Sequence, residues 1–197
     1  KSDSICLVLG DNIFHGPSFS QYLKDAIHQS TRNQKATIFG VKVKDPQRYG
    51  VIKFDKNGNA LKIEEKPDLP ESDFAVAGLY FYPNSVIEIS KKIKPSNRGE
   101  LEISSVNQIY LNELKLHIEK LGSGFTWLDT GTHESLLEAS QFIQTIEKRQ
   151  GIKVGCLEEI AFENKWISKE TVIKNANSLK HTNYGEFLIK KYSNVGD

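Results

Sequence analysis

The sequence has no Met, even at its first position, and only two Cys among its 197 residues. Cys6 and Cys156 lie far apart, without a CxxC pair or a His-rich tract, which predicts reduced thiols rather than a disulfide framework. No apolar run approaches the roughly 20 residues that a membrane helix needs, and no charged leader precedes a cleavage site. We therefore expect a soluble, cytoplasmic protein, and the missing initial Met leads us to expect a fragment of a longer chain.

The sequence also lacks an excess of either charge. Its 26 Lys and Arg residues are balanced by 25 Asp and Glu residues, for a formal net charge of +1. This balance excludes a protein that binds nucleic acid or an acidic membrane through bulk charge. No GxGxxG, Walker, HExxH or GxSxG motif occurs, and the five His residues are dispersed. Nucleophilic catalysis therefore has no support.

Hydrophobic patterning predicts an α/β fold. Residues 5–9 form a short apolar run that ends at a glycine, which is typical of a strand buried on both faces of a parallel sheet. Apolar residues at helical spacing follow, and then a second apolar strand at 36–43, so a strand, helix, strand unit opens the chain. Alternating residues on both sides of Asn57 and Gly58 predict a hairpin, because this pair adopts the positive φ of tight turns.

The last third of the chain is predicted to be helical. Beyond a helix over 133–150, capped by Thr132, we expect two short helices and then, from Lys180, a loop with one helical turn. We therefore predict an α/β domain over residues 1–150 and a helical C-terminal appendage over 151–197. The inner face of the long helix is predicted to be Leu136, Leu137, Ser140, Ile143 and Ile146.

Two carboxylates follow predicted strands. Asp11 comes after the first strand, in LVLGDN, and Asp129 ends the strand in WLDTGT. Ligands of open α/β sheets bind beyond the carboxyl ends of strands, where two carboxylates would offer the hard oxygen ligands that Mg²⁺ prefers. Sequence alone does not bring them together, and each taken singly is more often a turn or helix-cap residue.

The string IEEKP places Glu65 and Lys66 at the end of a strand. A Lys at the rim of a sheet is a natural phosphate partner, and Glu65 could accept hydrogen bonds from sugar hydroxyls. Adjacent strand residues point to opposite faces, so the two share a direction only if the strand bends here. The alternative, a solvated strand edge, stays open.

Two further positions are candidates for binding. Arg98, in RGELEI, lies just ahead of a predicted helix and could grip a phosphate with two N–H donors. Pairing with Glu100 or Glu102 on the surface is equally consistent with the spacing. Gly50, in RYGV, marks a place where the backbone comes close to another strand or to a ligand.

Six strings occur in a fixed order: LVLGDN, DPQRYGV, EEKP, AVAGLYFY, RGELEI and WLDTGTHESLLEAS. Together they closely resemble the sugar-1-phosphate nucleotidylyltransferases, and within them the glucose-1-phosphate thymidylyltransferases, from about Cys6 to Tyr184. The resemblance implies an α/β fold with a Rossmann-like, mixed or mostly parallel sheet flanked by helices, the nucleotide-diphospho-sugar transferase fold. A small C-terminal helical region would complete it.

The resemblance also implies a reaction. Glucose 1-phosphate attacks the α-phosphorus of dTTP and gives dTDP-glucose and pyrophosphate, on the route to dTDP-rhamnose and O-antigen, in a cytoplasmic homo-oligomer such as a homotetramer. In this family the two aspartates, here Asp11 and Asp129, hold Mg²⁺, and they are counted as catalytic with Lys66 and Arg98. The residues implied to hold the sugar and its phosphate are Gly50, Glu65, Lys66, Val76, Tyr80 and Arg98.

The sequence departs from the family in one respect. The Gly-rich loop GGxGTRLxPxT, which embraces the triphosphate, and the segments that hold the base do not occur in these 197 residues. We therefore expect a sheet without its first strands, with an open edge and exposed apolar surface, and no dTDP-glucose synthesis by the isolated chain. The alternatives are a non-catalytic sugar-phosphate-binding or assembly module, and a uridylyltransferase or other sugar nucleotidyltransferase.

Overall fold

The computed structural model describes residues 3–193 and contains two compact units that divide between Gly131 and Thr132. The strands are β1 (Ile5–Val8), β2 (Asn12–His15), β3 (Ala36–Lys42), β4 (Gly50–Phe54), β5 (Ala60–Glu65), β6 (Phe74–Tyr82), β7 (Leu116–Lys120) and β8 (Thr126–Asp129). The helices are α1 (Phe19–Thr31), α2 (Val86–Ser90), α3 (Ile103–Asn112), α4 (His133–Gln150), α5 (Leu157–Glu163), α6 (Lys169–Ser178) and α7 (Asn183–Ser193). All the strands belong to the first unit.

The main sheet of the first unit is mixed, as predicted. Its strands follow the order β5-β4-β6-β3-β7, and β1 also pairs with β6. β6 is antiparallel to β1, β3 and β4, whereas β3 and β7 are parallel. The predicted hairpin of β4 and β5 is confirmed, with Gly58 at φ 85° in its turn. β1 and β3 are not adjacent, because β6 lies between them.

The long strand β6 is the centre of this sheet. Every residue of β6 after Phe74 is buried, as expected for a strand covered on both faces. Since successive strand residues point to opposite faces, Val76 and Tyr80 belong to an apolar cluster that includes residues of α3, whereas Ala77 and Leu79 belong to a cluster that includes α1. The strand therefore has a helix on each side.

The environment of β1 differs from the prediction. The apolar run predicts burial on both faces, whereas Ile5, Leu7 and Val8 are 37%, 40% and 55% exposed. Among the described residues β1 pairs with β6 alone, so its outer edge has no neighbouring strand to cover these side chains. The open edge with exposed apolar side chains agrees with the expectation of a sheet without its first strands.

A separate two-stranded sheet joins segments that are far apart in the sequence. β2 and β8 pair antiparallel, with Asn12 opposite Asp129 and His15 opposite Thr126. The backbone N–H and the Oγ1 hydroxyl of Thr130 both donate to the backbone carbonyl oxygen of Asp11, at 2.9 and 2.8 Å. This small sheet brings the two predicted strand-end aspartates side by side.

The second unit begins with α4, which has the predicted bounds. Thr132 caps this helix through a reciprocal capping box with Ser135. The predicted inner face is wrong in its first part, because Leu136 and Leu137 are 52% and 60% exposed and Ala139 is buried instead, whereas the predicted Ile143 and Ile146 are half-buried. The other described helices of this unit do not cover the side chains of Leu136 and Leu137.

The second unit also contains a helix that the sequence did not indicate. The prediction of a loop with one helical turn from Lys180 is wrong, because α7 is a helix of 11 residues. Tyr184, Leu188 and Tyr192 recur every four residues, and this spacing places them on one face, against an apolar cluster that includes Val172. The polar residues between them weaken the pattern in the sequence.

The predicted domain boundary at residue 150 stays a prediction. The two compact units divide earlier in the chain, so α4 groups with the C-terminal helices. No helix within residues 3–193 is long and apolar enough to cross a membrane.

Candidate active site

Two carboxylates converge at the start of β2 and the end of β8. Gly131, just after β8, shows how near they are: a Cβ at this position would lie 3.4 Å from Oδ1 of Asp129 and 3.9 Å from Oδ2 of Asp11. Asp11 is exposed and Asp129 is half-buried, so both can be reached from solvent. The fold thus brings together the two aspartates that the sequence could not place relative to each other.

This pair of carboxylates suits Mg²⁺. The ion prefers hard oxygen ligands, and it commonly takes one or two carboxylates together with water and substrate phosphates. Within the described part of the chain, no group of three or more His, Cys, Asp or Glu side chains is placed to hold a metal. The donor set therefore fits an ion that shares its coordination with a phosphorylated ligand, and not a closed structural metal site.

Asn12 fixes the orientation of Asp11, and sequence reasoning missed it. Its Oδ1 accepts hydrogen bonds from the backbone N–H of Gly78 at 3.0 Å and from Nε1 of Trp127 at 2.7 Å. Its Nδ2 donates to Oδ1 of Asp11 at 2.9 Å. The two donors to Oδ1 decide which end of the amide faces the carboxylate. The only signal in the sequence is a carboxamide directly after the aspartate.

Glu65 and Lys66 share one cleft with the two aspartates. The cleft holds about 250 Å³ and is lined by side chains and backbone of residues that include Asp11, Asn12, Gly50, Glu65, Lys66, Val76, Tyr80 and Asp129. Lys66 has a positive φ of 42°, so the chain bends directly after β5. The sequence pattern required such a bend if the adjacent side chains of Glu65 and Lys66 were to point the same way. Lys66 thus lines the same cleft as the two aspartates.

Four of the sugar-binding candidates, Gly50, Glu65, Val76 and Tyr80, line the inner part of this cleft. Glu65 is opposite Gly50 in the β4–β5 pairing, and Val76 and Tyr80 face the cleft from the buried strand β6. Burial raises the pKa of the Tyr80 hydroxyl, and the negative charge of Glu65 raises it further. Tyr80 therefore stays protonated at neutral pH and can donate a hydrogen bond. Ser104, which sequence reasoning missed, donates a hydrogen bond to Oε2 of Glu65.

An aromatic pair forms the outer wall of the cleft. The rings of Tyr49, just before β4, and Trp127, in β8, have centroids 4.8 Å apart. Arg48, which also lines the cleft, is bound to Asp45 at 2.9 Å. Sequence reasoning assigned no role to these three lining residues; only the tertiary fold brings Arg48 and Tyr49 to the cleft that Trp127 and Asp129 line.

Arg98 lies outside this cleft. It lines an adjoining cleft of about 550 Å³ and forms ion pairs with Glu100 at 3.2 Å and Glu102 at 3.5 Å. This is the surface pairing that the sequence left open as an alternative. Glu65 and Ser104 line both clefts, so they form the boundary between them. A role for Arg98 in phosphate binding stays a prediction.

A family model described as nucleotidyl transferase matches residues 1–146. The chain belongs to the nucleotidyl transferase family. It is 53% identical over 186 residues to a glucose-1-phosphate thymidylyltransferase of Neisseria gonorrhoeae, a match that covers 94% of the chain and 64% of the relative. It is 48% identical over 189 residues to the protein of the same name from Mycobacterium tuberculosis strain H37Rv, covering 96% of the chain and 64% of the relative. The chain thus spans just under two thirds of these curated relatives.

Two solved structures share this fold. A Bacillus anthracis protein described as a glucose-1-phosphate thymidylyltransferase in complex with a sucrose is 36% identical, with a TM-score of 0.62 over 72% of this chain and 55% of that one. A UDP-glucose pyrophosphorylase complexed with UDP-glucose is 20% identical, with a TM-score of 0.63 over 73% of this chain and 57% of that one. The second likeness shows the fold alone. The mixed α/β fold predicted from the sequence is confirmed.

Proposed function

We propose that the chain provides the sugar-phosphate and metal side of a glucose-1-phosphate thymidylyltransferase. The enzyme would transfer the thymidylyl group of dTTP to glucose 1-phosphate and release pyrophosphate. The names of the relatives at 48–53% identity support this choice of substrates. The observation that carries the proposal is the convergence of Asp11 and Asp129 in one cleft with Glu65 and Lys66.

In this reaction a phosphate oxygen of glucose 1-phosphate forms a new bond to the α-phosphorus of dTTP. The bond from that phosphorus to the oxygen bridging the β-phosphorus breaks, and pyrophosphate leaves with its electron pair. Little covalent chemistry is asked of the protein, so positioning and charge neutralisation account for most of the acceleration. Two anions must be brought into contact, and this repulsion is what the side chains have to offset.

Each candidate residue has a distinct task in this proposal. Lys66 offsets the negative charge of the sugar phosphate, and Glu65 accepts hydrogen bonds from sugar hydroxyls. Asp11 and Asp129 would hold Mg²⁺, which neutralises phosphate charge when it is bound. The protonated hydroxyl of Tyr80 is a further donor to the sugar. Of the remaining proposed ligands, Gly50 and Val76 border the same cleft and Arg98 would contact phosphate from the adjoining one.

The proposal also covers the oligomeric state, the cellular location and the pathway of the enzyme. By analogy with the family that the sequence resembles, we propose a homo-oligomer in the cytoplasm that supplies dTDP-glucose to dTDP-rhamnose and O-antigen synthesis. Gel filtration with light scattering of the purified chain measures the oligomeric state directly, and a monomer would contradict that part.

Calorimetric titration of the 197-residue chain with glucose 1-phosphate, with and without Mg²⁺, tests the central proposal. We expect saturable binding that Lys66→Ala weakens at least about tenfold, which corresponds to about 1.4 kcal/mol. Lys62→Ala is a matched control, because Lys62 lies in the neighbouring strand β5, is paired with Glu64 at 2.7 Å and is not among the residues that line the cleft. No binding of glucose 1-phosphate by the folded protein would overturn the proposal.

A further inference from the structure

A buried hydroxyl holds the carboxylate of Glu65. Ser104, in the first turn of α3, donates a hydrogen bond to Oε2 of Glu65, which ends β5, across 39 positions of sequence. Ser104 is only 4% exposed, so water has little access to its side chain. A hydrogen bond between a buried hydroxyl and an ionised group is among the stronger ones in proteins. The carboxylate is therefore tied to the start of a helix.

Gly50 makes room for this hydrogen bond. It lies opposite Glu65 in the β4–β5 pairing. A Cβ at position 50 would lie 2.9 Å from Oγ of Ser104 and 3.3 Å from Oε2 of Glu65. Because both distances are shorter than ordinary van der Waals contacts, a side chain here would displace one partner or both. The requirement for glycine at this position thus comes from the Glu65–Ser104 pair itself.

We propose that Ser104 is a positioning residue that holds the Glu65 carboxylate in the orientation that binds sugar hydroxyls. The inference rests on the proposed function, since it assigns the sugar to Glu65. A carboxylate has two oxygens, and the bond of Oε2 to Ser104 leaves Oε1 to accept from the sugar. Fixing the carboxylate in advance reduces the side-chain entropy that binding would otherwise cost.

The proposal separates the recognition of the sugar from that of its phosphate. Lys66 follows Glu65 at the bend, with a φ of 42°, and the Ser104 hydroxyl donates its hydrogen bond to the glutamate. Loss of the Ser104 hydroxyl should therefore weaken the contacts to sugar hydroxyls and leave the electrostatic attraction of phosphate to Lys66 intact. A general loss of structure would weaken both.

The test is calorimetry of the full chain with two probes, glucose 1-phosphate and inorganic phosphate. Ser104→Ala should weaken glucose 1-phosphate binding about tenfold and leave the affinity for inorganic phosphate within about twofold. Ser104→Thr keeps the hydroxyl and should restore most of the lost affinity. Ser105→Ala, the next residue of the same helix turn, is the matched control and should bind like the parent chain.

The outcomes distinguish this inference from the proposed function. If the parent chain binds glucose 1-phosphate and Ser104→Ala binds it equally well, or loses both probes equally, the positioning role is overturned and the proposed function stands. If the folded parent chain binds no glucose 1-phosphate, both are overturned. Should Ser104→Ala fail to fold, Gly50→Ala approaches the pair from the other side and should likewise weaken the sugar phosphate more than inorganic phosphate.

Discussion

Asn12 accepts a 2.7 Å hydrogen bond from the indole N–H of Trp127, 115 positions further along the chain. The same oxygen accepts the backbone N–H of Gly78, and the amide nitrogen donates to Asp11. One side chain therefore couples the orientation of a candidate metal ligand to β6 and to β8. The coupling implies that residues remote from the ligand in sequence control its position.

Trp127→Phe should lower the stability of the protein. The change removes one donor to Asn12 and some buried ring surface, and we expect a loss of about 1–2 kcal/mol in the free energy of unfolding. Urea denaturation followed by circular dichroism measures it. The second tryptophan provides the control: Trp166 is 73% exposed, so Trp166→Phe should change the free energy by less than about 0.5 kcal/mol. Equal losses would contradict the assignment.

A double-mutant cycle isolates the hydrogen bond from the loss of ring surface. The side chains of Asn12 and Trp127 contact each other in the parent chain, so the effects of Asn12→Ala and Trp127→Phe on stability should not add. We expect a coupling energy of about 0.5–1.5 kcal/mol. Additive effects within experimental error would show that Asn12 and Trp127 stabilise the fold independently.

The pH dependence of the β4–β5 hairpin follows from Asp55. Hydrogen bonds from the side chain and backbone of Asn59 lower the pKa of Asp55 below its ordinary value of 3.8. A carboxyl with a lower pKa in the folded than in the unfolded state contributes stability above its unfolded pKa and loses it as the pH falls through the folded one. Asp55→Asn should therefore reduce the loss of stability below about pH 4, measured by thermal unfolding from pH 5 to pH 2.5. An unchanged pH profile would contradict the shift.

Removal of either converging carboxylate should weaken divalent metal binding. Mn²⁺ is a paramagnetic substitute for Mg²⁺, and its free concentration can be followed by electron paramagnetic resonance. We expect Asp11→Asn and Asp129→Asn each to lower the affinity of the chain for Mn²⁺ at least about tenfold. Asp25→Asn is the control, because Asp25 lies on the exposed face of α1. The same affinity in all three variants would place the metal elsewhere.

The charged residues of the cleft could be found from the sequence, but their arrangement could not. Asp11, Asp129, Glu65 and Lys66 each stand at a strand end, and strand ends are readable from hydrophobic patterning. Their convergence depended on one further fact, the antiparallel pairing of β2 with β8, which no local pattern encodes. The family resemblance implied the convergence without the pairing, because it assigned both aspartates to one Mg²⁺ ion.

The missed residues have a common physical cause. Ser104 and Asn12 act through partners 39 and up to 115 positions away, and polar side chains carry no periodicity that would indicate such partners. The burial of β1 was overestimated for a related reason. An apolar run shows that a strand is suited to burial, but it does not show whether a neighbouring strand is there to cover it.

Gly78→Ala should destabilise the protein through the same amide that holds Asp11. A Cβ at position 78 would lie 2.5 Å from Oδ1 of Asn12 and 2.7 Å from Cδ1 of Leu9, so it would compete directly with the accepting oxygen. Since overpacking of a close contact commonly costs about 1–3 kcal/mol, we expect a loss of that size in the free energy of unfolding, together with weaker Mn²⁺ binding.

Gly122→Ala is the matched control for this substitution. A Cβ there would meet no atom within 4 Å, so both stability and Mn²⁺ affinity should stay close to those of the parent chain. The two readouts separate two roles for Gly78. If Gly78→Ala lowers stability but leaves Mn²⁺ affinity intact, the glycine serves packing alone and Asn12 does not transmit its position to Asp11. Loss of both would link the centre of the main sheet to the candidate metal ligand.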